Sequence, residues 1–551
     1  MERRDFLQKG LALGVGLVPG AGLAIELFGD VSRVPDTGTG IDYASLTIAQ
    51  LRKIAEQGHI DAQCYLGELY YFGNGIPKDY VEAVKWWSQA TEQGNAYAQC
   101  WLGYCHYNGE GVSKDYVEAL SWYHKAAEQG NVSAQRNLGS CYYSGKGVSQ
   151  DYVEAVKWFH KAAEQGYVVA QYDLGTCYYH GHGVTQDYAE AVQWYRQAAE
   201  QGNAYAQHEL GCCYYFGDGV SKNYVDAVKW YSKAAEQGHA KAQYKLGVCY
   251  YDGEGVPKDY VEAAKWFRKA AEQGEPIAQY NLGVCYYSGE GVVQNYEEAV
   301  KWYRQAAEQG DVGAHYNLGC SYYKGEGIPK DHVEAVLWYR KAAEQGNANA
   351  QYELGVCCFF GEGIVENKQE ALNWYRRAAE QGNANALACI GYLYLFGECV
   401  YGKGVARDSQ EAVKWFQKGV EQGLAEAQNG LGICYFWGEG VPEDRVEAIR
   451  WFHVAAEQGL AYAQYALGSC YFHGLGVSES KAQAIEWSRK AAEQGCVYAQ
   501  MNLDHCFNCH NITHCIPKNL AEAVVRTTEP GCEKVRSYYE AMAASQNNQI
   551  G

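Results

Sequence analysis

The chain has 551 residues, with 46 Lys and Arg against 65 Asp and Glu, and a formal net charge of −19. A field of that sign repels phosphate backbones and argues against nucleic acid as a partner. It suits basic partners, or simply keeps a tyrosine-rich surface soluble. Length alone would predict three or four domains, but an internal repeat overrides that expectation.

The chain begins Met1-Glu2-Arg3-Arg4-Asp5-Phe6-Leu7-Gln8-Lys9. Twin arginines followed by x-Phe-Leu-x-Lys resemble the bacterial twin-arginine export signal. Gly10 to Ala24 then forms a weakly apolar, glycine-rich run, too short and too rich in glycine for a good spanning helix. Residues 1–24 are therefore expected to be a signal segment, with no stable membrane span left in the mature chain. The expected destination is the bacterial periplasm or the outside. The alternative is an untargeted N-terminus and a cytoplasmic protein. Residues 25–42 read as a linker, and residues 43–58 as a lone helix that caps the first repeat.

The triplet Glu-Gln-Gly then recurs, ending at Gly58, Gly94, Gly130 and onward to Gly382 in steps of 36 residues. One step of 41 reaches Gly423, and two more of 36 reach Gly459 and Gly495. Twelve units fill residues 59–495, and a degraded thirteenth occupies residues 496–545 with a final helix as C-terminal cap. Numbering each unit from the residue after its closing glycine, apolar residues at positions 4, 8 and 11 predict helix A. Those at 22, 25, 26, 29, 32 and 33 predict helix B, widened by Trp at position 28. Position 21 is Asp, Asn or Ser and, with the acid at 24, predicts a capping box for helix B. Gly-x-Gly between the helices predicts a tight turn with positive φ. Glycine at position 9, inside helix A, costs about 1 kcal/mol against Ala, so its recurrence predicts a close approach between helices.

This wording resembles the Sel-one-like repeat family, relatives of the tetratricopeptide repeats. The matching strings are Gly-x-Gly-Val, Tyr152 to Trp158 and Ala162 to Gly166. The resemblance implies an all-α fold, an α/α solenoid wound as a right-handed superhelix. It also implies non-enzymatic scaffolding, in which a protein or peptide partner binds along the concave side lined by helix A. A minority of family members are secreted, cysteine-rich and penicillin-binding or β-lactamase-like, which is the alternative function.

Ten cysteines fall at position 11, among them Cys105, Cys285 and Cys506. Packed helices lie about 8–10 Å apart, whereas disulfides need Cα atoms about 4.4–6.8 Å apart. These cysteines are read as small buried thiols. Most units hold one cysteine where the penicillin-binding relatives carry a pair, which weakens that analogy. Unit 10 carries a five-residue insertion around Glu398 to Gly402.

Unit thirteen replaces the connecting loop with a run from His505 to Cys515 that is rich in His and Cys. Three readings stand: a structural zinc clip using four of Cys506, Cys509, His510, His514 and Cys515; a core thiol with incidental neighbours; or a disulfide from Cys509 to Cys515 or Cys532. Apart from that zinc no cofactor is expected.

No paired acids, nucleophile triad, zinc-protease helix or phosphate loop stands out from the repeat. His124, His160, His180, His182 and His208 are read as surface or loop residues. What varies between units is the helix-A stripe at positions 3, 7, 10 and 14. It holds Tyr65, Phe72, Trp101, Tyr104, Tyr205, Phe216, Glu353, Phe360, Tyr392, Phe396 and Trp437. Aromatics interspersed with acids suit an extended basic or apolar peptide. The bland reading of that stripe is neutral variation on a solvated face.

Overall fold

The structure, a computed structural model, describes residues 43–397, 399–400, 403–501 and 503. The expected signal, the linker and the His/Cys run of unit thirteen lie outside the described residues. A short turn at Tyr43–Ser45 and a helix at Ile48–Glu56 precede the repeats. In all twelve units helix A and helix B are each 13 residues long, as at Ala240–Asp252 and Tyr260–Glu272. The described chain is an α/α solenoid of such pairs. It groups into two compact bodies, one of residues up to 285 with 289–293, the other of 286–288 with those from 294 onward. Within each body, helix B packs against helix A of its own unit and helix A of the next. The insertion of unit 10 adds a two-residue antiparallel ladder, Cys399–Val400 with Lys403–Gly404.

Unit 6 illustrates why these residues form this unit. Asp259 accepts from the N–H groups of Val261 and Glu262 at 2.9 and 3.0 Å, which satisfies two donors left open at the start of helix B. The reciprocal half of the predicted capping box is replaced by other bonds. The Glu262 carboxylate turns to Lys265 at 2.6 Å, and in unit 4 Glu190 accepts from the Trp194 indole at 2.9 Å. A full reciprocal box occurs at Thr47–Gln50, ahead of the repeats.

Gly247 at position 9 is where the two helices of the unit meet. A Cβ there would lie 2.7 Å from the ring of Phe267, itself almost fully buried. The same glycine faces the position-29 ring in other units, for example Gly67 with Trp87 and Gly355 with Tyr375. Gly255 at position 17 joins neighbouring units. Its φ is +77°, and a Cβ would sit 2.2 Å from the carbonyl oxygen of Tyr224 in unit 5. Position 28 is less enclosed than position 29. Trp266 is half-buried, with the Lys269 ammonium 3.8 Å from its ring centre.

The Gln residues of Ala-Gln-Tyr and Glu-Gln-Gly form a buried amide ladder. Gln243 donates to the carbonyl of Ala235 in the preceding unit at 3.1 Å and accepts from Gln273 at 2.7 Å. Each buried amide is thereby paired, as burial requires. A second link runs from the Tyr at position 13 to the acid at position 16 of the next unit, as in Tyr179 to Asp218 at 2.8 Å and Tyr287 to Glu326 at 2.7 Å.

Sixteen of the described cysteines are free, and those of them at position 11 are buried. Burial pushes the thiols of Cys285 and Cys470 up to about 12. They are packing residues with little thiolate character.

Candidate partner-binding face

Helix A buries positions 4, 8 and 11; positions 7 and 10 of the expected stripe are buried or half-buried in every unit, and its large exposed rings stand at positions 3 and 14. In the first body Phe72, Tyr205 and Phe216 are exposed by 43%, 39% and 39%. In the second, Trp437 is exposed by 42%. Tyr65, Tyr104, Glu353, Phe360 and Phe396 are half-buried.

Two predicted members do not belong to an exposed stripe. Trp101 is only 2% exposed. It stacks on Trp87 at 4.8 Å and 12°, with Tyr71 5.0 Å away and Phe72 edge-on at 5.9 Å. A ring that large at position 7 folds down onto the large ring at position 29 of unit 1, and the aromatic cluster closes over it. Tyr392 is likewise 2% exposed. Its hydroxyl donates to the carbonyl of Glu426 at 2.8 Å and accepts from Asn429 at 3.3 Å. Both partners lie on helix A of unit 11 (Ala425–Trp437), whose Gly430 makes room for the neighbouring Phe416 ring. Changing Trp101 would damage the core, so it is unsuitable as a probe of binding.

The exposed members are grouped locally. Phe72 and Tyr104 flank Trp101, Tyr104 at 5.7 Å. Tyr205 lies 6.0 Å from Tyr172 and 4.8 Å from His239. Lys245 places its ammonium 5.7 Å from the ring of Phe216. Acids accompany them: Glu68 accepts from the Tyr97 hydroxyl, and burial raises its carboxyl to about 7, partly opposed by that bond. Asp173 is buried and paired to Arg136 at 2.7 Å, a bridge between units 3 and 4. It holds neighbouring units together and is not free for a ligand.

Among the histidines, His182 is a loop residue stacked on Tyr152 at 4.9 Å. His208 departs from expectation. It is 7% exposed and meets Glu209 and Cys212 on its own helix. Sequence reasoning missed this grouping; the signal was His-Glu-x-x-Cys at helical spacing within one helix A. It also missed the helix-A N-caps at position 1, such as Asn203, which accepts from Ala206 N–H at 2.8 Å.

The family described as Sel1 repeat matches twelve consecutive segments, from residues 60–95 and 96–131 through 384–424 to 461–496. The chain belongs to the Sel1 repeat family. It is similar to c5321, a protective antigen present in uropathogenic Escherichia coli strains that displays an SLR fold. Identity is 38% over 80% of this chain and 93% of that one, with a TM-score of 0.70. A Sel1 repeat protein from Oxalobacter formigenes is 38% identical, over 44% of this chain and 96% of that one, with a TM-score of 0.41. Cysteine-rich protein B of Helicobacter pylori is 29% identical over 23% of this chain and 92% of that one, with a TM-score of 0.20. No curated protein matches. Sel1 repeat proteins are generally protein-interaction scaffolds. Among the described residues of this one, no helix is long and apolar enough to cross a membrane.

Proposed function

We propose that this Sel1 repeat protein is a non-enzymatic scaffold that holds a protein partner on the helix-A faces of its repeats. The observation that carries the reading is the exposure of Phe72, Phe216 and Trp437 at position 14 and of Tyr205 at position 3 of helix A, the two ends of a stripe whose positions 7 and 10 are buried or half-buried. Large rings held in the open, on a chain with an excess of acids, suit a partner segment with basic and apolar side chains. The net charge of −19 adds long-range attraction for such a segment. Capture from the native host tests the reading. Phe72→Ser with Tyr205→Ser and Phe216→Ser, and separately Trp437→Ser, are expected to stay folded and lose the partner that wild type retains. A matched change of the exposed helix-B valines Val117, Val153 and Val225 to Ser is expected to leave capture intact. Equal loss in both sets would refute it.

The twin-arginine string supports a second part of the proposal, export of the protein. Arg3→Lys with Arg4→Lys is expected to leave the chain in the cytoplasm, and unchanged fractionation would refute export. The His/Cys run of Cys506, Cys509, His510, His514 and Cys515 is proposed as a structural zinc clip on the donor chemistry alone. Elemental analysis showing no metal that depends on these residues would remove it.

A further inference from the structure

Helix A of unit 5, Ala204–Phe216, carries His208, Glu209 and Cys212. Cys212 follows His208 by four residues and Glu209 by three, the two spacings that bring side chains together on a helix. One donor atom from each lies within 4.8 Å of the others, and no other such group of His, Cys, Asp or Glu occurs among the described residues. His208 Nε2 is 3.7 Å from Cys212 Sγ, and His208 Nδ1 is 3.1 Å from Glu209 Oε1.

Zinc binds nitrogen at about 2.0–2.1 Å and sulfur at about 2.3 Å, so a tetrahedral ion holds such a pair roughly 3.6 Å apart. The His208–Cys212 edge already has that length. The hydroxyl of Tyr231, on helix B of the same unit, donates to Cys212 Sγ at 3.3 Å and steadies its rotamer. His239 stands nearby, its ring centre 5.0 Å from that of His208. Its Nδ1 accepts from Ala242 N–H at 3.1 Å, so that imidazole is committed as a helix cap. His208 is buried whereas Glu209 and Cys212 are half-buried, which leaves solvent access on one side.

We propose that His208 Nε2, Cys212 Sγ and the Glu209 carboxylate bind a divalent transition-metal ion of the zinc class, with one coordination position open to solvent. The Glu209 side chain turns from its bond to Nδ1 toward the ion, and the Cys212 thiol releases its proton to solvent as sulfur becomes a ligand. Glu209 and Cys212 stand at positions 7 and 10 of helix A, between Tyr205 and Phe216, and the metal titrations, which need no partner, test this site apart from the partner-binding reading.

Zinc and cobalt(II) titrations of the full chain test the proposal. Wild type is expected to bind one equivalent more than Cys212→Ser. Its cobalt complex is expected to show more near-ultraviolet sulfur-to-metal absorption than Cys212→Ser, but no more than Cys249→Ser, which changes a buried packing thiol. Any metal held by Cys506 to Cys515 contributes equally to every variant and cancels. Equal stoichiometry and equal cobalt spectra in wild type and Cys212→Ser would overturn the site. Glu209→Gln, at a half-buried position, gives an independent reading. Zinc affinity is expected to fall at least about tenfold, and unchanged affinity would equally overturn the assignment.

Discussion

Unit 6 and the junction of units 10 and 11 solve the same packing problem differently. In unit 6 one glycine, Gly247, receives the ring of Phe267, and the amides of Gln243 and Gln273 pair beneath it. At the junction Phe416 is gripped by two glycines. A Cβ on Gly391 would meet its ring at 2.5 Å, and one on Gly430, in the next unit, at 2.3 Å. The amide ladder is interrupted there because Leu387 stands at the Gln position. Helix A of unit 10, Ala384–Phe396, is instead apolar nearly all round, with Leu387, Ile390, Leu393 and Leu395 buried. Polar pairing that sets the register in unit 6 is thus replaced by apolar area, which is less directional. The contrast teaches that the repeat tolerates loss of the ladder where added apolar packing and a second small residue compensate for it.

The largest effect is expected where backbone meets backbone. Gly255→Ala places a Cβ against the Tyr224 carbonyl at a φ of +77°, and neither the left-handed conformation nor the clash relaxes easily. A cost of about 3 kcal/mol or more is expected in chemical denaturation of the first body. A neutral result would mean that the units are not held at this spacing. Gly430→Ala comes next, at roughly 1–3 kcal/mol, because the Phe416 ring has no other place to go. The control is Ala466→Gly in unit 12, where position 7 is already Ala; it is expected to cost only about 1 kcal/mol, the price of mid-helix glycine.

Gln243→Leu copies the unit 10 solution into unit 6 without its compensating surroundings. It leaves the Ala235 carbonyl and the Gln273 amide without that partner. About 1–3 kcal/mol is expected, measurable as faster amide exchange at the end of helix B of unit 5 (Tyr224–Glu236). A stabilised variant would show that the ladder serves no packing purpose.

The smallest effect is a pH slope at Glu68. Its folded carboxyl titrates at about 7, above the ordinary value of 4.5, mainly through burial. The group therefore favours the folded state fully below about pH 4.5 and loses that contribution as pH rises through about 7. The difference in stability between wild type and Glu68→Gln is expected to change across this window, with wild type losing ground as pH rises. A difference independent of pH would place Glu68 in water.

Much of this was legible in the sequence. The 36-residue period, the two helices, the Asp79-type caps and the buried position-11 thiols all follow from local pattern and burial. The partner of Gly247 was not legible, because it lies 20 residues away at a position that varies among Phe, Tyr, Trp and Ser. Trp101 and Tyr392 were misplaced for a related reason. Their helical position is that of the variable stripe, but a large ring from the preceding unit covers the first, and Glu426 and Asn429 of the following unit bond to the second. Periodicity within a unit says nothing of what a neighbour brings. The His208, Glu209 and Cys212 grouping was hidden because each residue is unremarkable at its own repeat position.

The measurement that tests the central claim most directly is site-specific photo-cross-linking in the native host. A cross-linking residue in place of Phe216 or Trp437 is expected to form an adduct with a partner protein. The same residue in place of Val117 or Val225, more exposed still on helix B, is expected to form none. Adducts from the valine positions with none from Phe216 or Trp437 would contradict the assignment of the helix-A face as the binding surface.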